Sequence, residues 1–248
     1  MNDREQTPDT VSEKSLLGKS LFNYDNAKFE FVTACFSFVL DKCELSGLCG
    51  NYNFTLSDCN VSGEAHTCKK GVLRDCKIDA QEFLKNSRDI TVVSSFCNGN
   101  APFLNNVKLF MHKAELRGRN ALNGSKDVTI ENSKIDSVDG FSGCENVTVI
   151  NSVIVCERVF WGAKNVTLRN CTVIGEEPFC NCKNVRLYDC IVKGRGAFNN
   201  SYVRATLRAP IDSIVNPRRG TIVVPGVGEI VRDEKSKAKI MLTGEGDK

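Results

Sequence analysis

Between Lys183 and Arg219 the chain carries eight basic residues (Lys183, Arg186, Lys193, Arg195, Arg204, Arg208, Arg218 and Arg219) against Asp189 and Asp212, a local net charge of +6. Around this run Arg169, Arg186, Tyr188 and Arg204 are spaced so that extended strands on successive turns project them to one side. Guanidinium groups hold carboxylates, sulfates or phosphates through paired N–H donors, and a neighbouring phenol adds a flat apolar surface. These four residues are the candidate ligand-binding set, and an acidic oligosaccharide or another anion is the ligand they would take. The plainer explanation of such charge is a surface that keeps the protein soluble.

Hydrolysis or elimination on a sugar chain needs carboxylates, either two flanking the scissile bond or several holding calcium. The outward positions of the same strands are Thr129, Glu131, Thr148, Ile150, Thr167, Arg169, Arg186, Tyr188, Arg204 and Thr206, and Glu131 is the one carboxylate among them. Asp139, Glu157, Glu176 and Glu177 recur in the loops ten or eleven residues after each strand begins, where acids on adjacent turns would lie about 5 Å apart. Solvated loop charges, balanced by Arg158 and Arg195, are the plainer explanation of this column. Cys180 and Cys182 form a C-x-C pair, but the chain's two histidines, His66 and His112, are remote in sequence, so core packing is expected there and no metal or cofactor. Trp161, the chain's single tryptophan, follows an apolar phenylalanine and is expected to face outward, as a sugar platform or partly covered by a loop.

What must position these residues is a repeat. Residues 146, 165 and 184 open NVTVINSVIV, NVTLRNCTVI and NVRLYDCIVK at intervals of 19 residues, and a weaker copy begins at Asp127. Within each copy apolar positions alternate, as in a strand, and no helical stretch separates the copies. Units this short cannot bury an apolar face alone and must stack on their neighbours. Anchors are assigned at Phe54, Gly71, Ile90, Val107, Val128, Val147, Val166, Val185 and Val203, with a further unit near Phe38. Like residues then lie over like: Phe141, Phe160, Phe179 and Phe198 form one column, and Ser133, Ser152, Cys171 and Cys190 another. Cys144, Ala163, Cys182 and Ser201 form a third. Asn132, Asn151, Asn170 and Asp189, preceded by Asp58 and Asp75 and interrupted at Ser94 and Met111, should turn sharp corners in the left-handed conformation and form an amide ladder. Irregular spacing at Gly71 and between Leu109 and Ala114 is read as a bulge or loop.

The anchors, the asparagine column and the phenylalanine column resemble the right-handed parallel β-helix of the pectin-lyase-like superfamily. More narrowly, Leu21 to Arg208, with the ending GVGEIVRDE at 226–234, resembles a mainly bacterial β-helix family of unknown function. The resemblance implies architecture and almost nothing about activity, because such folds serve lyases, hydrolases and adhesins alike.

Composition sets the outer limits. With 41% apolar and 25% charged residues and a net charge of +3, the chain is globular, and it advertises neither a nucleic-acid nor a membrane partner. The polar opening MNDREQTPDT lacks the pattern of a secretory signal, and thirteen cysteines cannot all pair within one chain, so reduced thiols in a cytoplasm are expected. Residues 1–14 are assigned to a polar tail and 15–208 to an all-β, right-handed parallel β-helix of nine or ten turns. Residues 209–248 are assigned to a cap and tail, with a β-hairpin formed by Thr221–Val224, Pro225-Gly226 and Glu229–Val231. The expected role is a noncatalytic binding or interaction scaffold for an anionic carbohydrate or a protein. The rival is a carbohydrate-active enzyme, a polysaccharide lyase or glycoside hydrolase, drawing its acids from the loop column.

Overall fold

Parallel pairing of short strands dominates the computed structural model, which describes residues 12–243; residues 1–11 and 244–248, and with them most of the expected polar tail, lie outside the described residues. The chain winds into an all-β parallel solenoid of about 12 turns. Each turn contributes one strand to a first face, typified by Lys126–Glu131, Glu145–Ile150 and Lys164–Arg169, and one to a second face, typified by Lys134–Val138 and Val153–Cys156. The solenoid exceeds the expected nine or ten turns because it continues at both ends with shorter repeats. Ser12 lies opposite Lys28, Lys28 opposite Glu44 and Phe36 opposite Tyr52, all at 16 residues, whereas every first-face pairing from Lys69 to Lys183 spans 19. Past Val185 the interval drops to 18 and then 17, with Val203 over Val185 and Arg219 beside Tyr202.

Inward residues of the first face follow the anchors with one correction. Ile90 pairs with Leu109, not Val107, and Leu109 with Val128, so the register there is regular. An apolar valine two positions early drew the anchor to the wrong residue and created an apparent insertion. The same shift moves the corner column, which holds Lys113 where Met111 was placed: Asp58, Asp75, Ser94, Lys113, Asn132, Asn151, Asn170 and Asp189 share φ of +49° to +53°. The amide ladder in this column includes the Asn170 to Asn151 bond of 2.9 Å, and a longer one forms at the preceding corner, where Asn184, Asn165 and Asn146 donate in turn to Asn165, Asn146 and Asp127 at 2.8–2.9 Å.

The three added residues of each long turn build a third side. There Leu84, Phe103, Leu122, Phe141, Phe160, Phe179 and Phe198 occupy one fully buried, left-handed column. The last four stack with ring centroids 4.5, 5.2 and 5.7 Å apart. In the short turns the aromatic stack moves to the first face: Phe22, Phe38 and Phe54 lie 4.9 and 5.5 Å apart, and the Phe54 ring ends where Gly71 has no side chain, since a Cβ there would sit 2.3 Å from it. Gly71 is therefore a fitted space for a ring, not a bulge.

At the C-terminal end the strand–turn–strand of the cap is present, Arg219–Val224 and Val227–Val231 flanking Pro225-Gly226. Its two strands do not pair with each other. Arg219–Val224 extends the first face beside Tyr202–Leu207, and Val227–Val231 pairs in parallel with Ile211–Val215, so the cap is made of further turns of solenoid. No helix among the described residues is long and apolar enough to cross a membrane.

Candidate functional site

The outer surface of the first face, over its last regular turns, gathers the expected basic residues. Strand alternation sends Val185 and Leu187 inward and leaves Arg186 and Tyr188 exposed, and parallel pairing then sets Arg186 beside Arg204 and Tyr188 beside Arg169. The Arg169 guanidinium lies 4.2 Å from the centre of the Tyr188 ring, a cation–π contact that holds both side chains against the sheet. All four predicted residues thus share one surface, but they divide into two pairs. Arg186 and Arg204 line a shallow depression of about 270 Å³; Arg169 and Tyr188 stand one pleat further along.

Two residues outside the four-residue candidate set complete the depression, Arg219 having been counted only within the basic run. Tyr202 forms one wall, and the Arg219 guanidinium sits 5.7 Å over its ring. Gly220 forms part of the floor at φ +113°, where a Cβ would strike the Val203 carbonyl, so the chain approaches as closely as it does because no side chain intervenes. Tyr202 stands one residue before the anchor Val203 and Arg219 lies beyond residue 208, where the repeat was taken to end, so neither falls among the outward positions counted one and three places after an anchor. The signal that would have found them is the alternation of Tyr202, Arg204 and Thr206 followed by the same pattern at Arg219 and Thr221.

Among the described residues Arg169, Arg186, Arg204 and Arg219 have no ion-pair partner, whereas Arg117, Arg158 and Arg218 are held by Glu115, Asp139 and Asp233. Unpaired guanidinium groups on adjacent strands repel one another mildly across water, and an anion between them relieves that repulsion while taking their N–H donors. The arrangement can therefore bind negative charge. No carboxylate is among the residues that line the depression.

The carboxylates proposed for the rival chemistry are arranged otherwise. Asp139 receives both Nε and Nη2 of Arg158 at 2.5 and 2.7 Å, a closed bidentate pair that takes it out of use as a free acid. Glu131 faces His112 at 3.6 Å on the first face. Glu157 is exposed and, with Asp136 and Arg117, lines an open depression of about 370 Å³, while Glu176 and Glu177 stand exposed on the next turn. The C-x-C thiols point into the wall of the solenoid, Cys182 Sγ donating to the Phe160 carbonyl at 2.7 Å and Cys180 Sγ to that of Gly196 at 3.6 Å. No group of three or more metal-ligating side chains converges among the described residues.

All thirteen cysteines are free, and twelve of them are buried. Most line the corners, where Cys, Ser and Asn alternate and cap backbone groups that the turn leaves without a ladder partner: Cys76 N–H donates to Ser95 Oγ, and Cys182 N–H to Ser201 Oγ. Burial pushes the Cys97, Cys144 and Cys182 thiols up to about 12.

Residues 33–243 match the model of the family DUF3737, described as protein of unknown function. No curated protein matches the chain. Among solved structures it is similar to PfbA, a surface adhesin of Streptococcus pneumoniae, at 8% identity over 90% of this chain and 81% of that one, with a TM-score of 0.43. The catalytic domain of a GH87 alpha-1,3-glucanase, in complex with tetrasaccharides, aligns at 10% identity over 94% of this chain and 62% of its own, TM-score 0.35. The Pseudomonas phage phi297 tailspike gp61 aligns at 11% over 89% and 45%, also with a TM-score of 0.35.

Proposed function

We propose that this chain, which belongs to the DUF3737 family of proteins of unknown function, is a noncatalytic binding scaffold for an anionic carbohydrate, held by Arg186 and Arg204 with Tyr202 and Arg219 beside them and Arg169 and Tyr188 extending the surface. The observation that carries this reading is the cluster of guanidinium groups without ion-pair partners around a depression with a tyrosine wall. A chain-like anion lying across the strands would meet a cation on each successive turn, about 4.8 Å apart, without leaving the sheet surface. The reading takes residues 15–208 as the binding solenoid and 209–248 as its cap and tail, within the pectin-lyase-like superfamily. It places the protein in a reducing cytoplasm, for which the thirteen free thiols are the support.

The second reading, a glycoside hydrolase or polysaccharide lyase, rests on Asp136 and Glu157 beside one depression and on exposed Glu176 a turn away. One incubation separates the two. The full-length protein is mixed with polygalacturonate, with and without calcium, and followed both by retardation in a polysaccharide-containing native gel and by release of reducing or unsaturated ends. Retardation without product is the expected result. Product formation that is lost in Glu157→Gln combined with Glu176→Gln would establish the enzyme instead.

A further inference from the structure

The third side of the solenoid carries a separate surface. Its buried column runs Phe141, Phe160, Phe179 and Phe198, and the residue after Phe160 is Trp161, exposed at 40% although every ring of the column beside it is fully buried. Successive turns place Ser142 and Asn123 in the positions preceding Trp161, 19 residues apart, and together with Asn120, Asp139 and Arg158 they enclose a depression of about 250 Å³. Gly143 and Gly162 flank it, and a Cβ on either would meet nothing within 4 Å, so the approach to the indole is open.

We infer that this depression is a binding site for a neutral saccharide. Three features of its chemistry point there. First, the indole offers a broad apolar plane, which suits the C–H face of a sugar ring. Second, the surrounding groups are hydrogen-bonding and short: the Ser142 hydroxyl, the Asn120 side-chain amide and Asn123 Nδ2 have no partner among the described residues, while Asn123 Oδ1 accepts from the Ser142 N–H at 2.8 Å, which orients that side chain. Third, the site has no uncompensated charge, because Asp139 and Arg158 close on each other in a bidentate pair. An anion would find no free cation here, and a phosphate-bearing ligand none either. A ring rimmed with hydroxyls is satisfied by an apolar plane with donors and acceptors around it, and a carboxylate already paired with arginine still has lone pairs to accept from a hydroxyl. The site is independent of the basic depression on the first face and stands or falls separately from it.

Because the chain has one tryptophan, its emission reports on this surface alone. The full-length protein is titrated with cellohexaose, maltohexaose, xylohexaose and mannohexaose, and separately with polygalacturonate, while tryptophan emission is recorded. A saturable change with at least one neutral oligosaccharide is expected. Trp161→Ala, shown to melt as the parent does, should then weaken retardation of the protein by the polymer of that sugar about tenfold, the loss of one aromatic contact, and Asn123→Ala, melting likewise, should weaken it by a smaller factor. Arg186→Ala combined with Arg204→Ala should leave it unchanged. Silence with all four neutral sugars would overturn the inference, as would a response to polygalacturonate alone or retardation that persists in Trp161→Ala.

Discussion

The 16-residue turns at the N-terminal end and the 19-residue turns that follow are built on the same two ladders, yet they fill their interiors differently. In the short turns Phe22, Phe38 and Phe54 stack inward from the first face. In the long turns the first face carries aliphatic anchors, Ile90, Leu109, Val128, Val147 and Val166, and the rings migrate to the third side. Three residues added per turn widen the cross-section, and a larger interior needs its bulk placed where the new wall stands. The added wall is also new surface. Trp161 stands on it, while the short turns have no counterpart, and the step between the two regimes leaves a depression of about 640 Å³ lined by Glu64, His66, Gln81 and Glu82. Lengthening a turn in this fold therefore changes core and surface together.

The sharpest break in that comparison is Phe179→Ala. Phe179 is fully buried between Phe160 and Phe198, so its loss should cost about 3–5 kcal/mol in a denaturant melt. A negligible shift would show that the long turns do not depend on their third-side stack. Next in size is Gly71→Val at the transition, where the new side chain has to displace the Phe54 ring and should cost about 1–3 kcal/mol. If Phe54→Ala is made in the same chain, part of that loss should be recovered, and strict additivity of the two changes would contradict the fitted-space account.

The buried thiols respond to pH across both regions. Burial raises several of their folded pKa values above the ordinary thiol value of 9.0, to about 12 for Cys68 in the first part of the chain and for Cys144 and Cys182 in the long turns. For thiols raised in this way, the unfolded chain loses its protons first. Stability from these groups is complete below about pH 9 and drains away between about 9 and 12. Melts at rising pH should show that decline, and alkylation without reductant should modify few thiols in the native protein at pH 8 and all thirteen once it is unfolded. Thiols that stay unmodified in pairs after unfolding would indicate disulfides.

How much of this was legible follows from the same difference. The long turns could be read from sequence because identical side chains recur at a constant 19 residues, Phe over Phe and Asn over Asn, and stacking selects for that. The short turns escaped because their interval differs and their aromatic residues sit at another position. Val107 misled because it is an apolar residue two places before Leu109, and strict alternation does not register the left-handed corner at Lys108 that separates the half-exposed Val107 from the buried face. At the C-terminal end Pro225-Gly226 looks like the tip of a hairpin, whereas strands on either side of a solenoid corner carry the same turn signal and pair with the turns above and below. The basic surface was half visible: Arg169, Arg186, Tyr188 and Arg204 stand one or three places after an anchor valine, while Tyr202 stands one place before Val203 and Arg219 lies beyond residue 208, where the repeat was taken to end. Pairing of Asp139 with Arg158 was open to inference from their 19-residue separation, though which carboxylate the arginine would choose is a matter of side-chain reach that spacing does not settle.

The claim that the contracted turns carry a site for an anionic carbohydrate is tested most directly by titrating polygalacturonate into the wild-type protein and into Arg186→Ala combined with Arg204→Ala at several salt concentrations. The wild type should bind without cleaving, more weakly as salt rises, because the contacts are exposed ion pairs. The double variant should melt as the wild type does, bind at least about tenfold more weakly and show a shallower dependence on salt. Equal affinity and equal salt dependence in the two proteins would contradict the account.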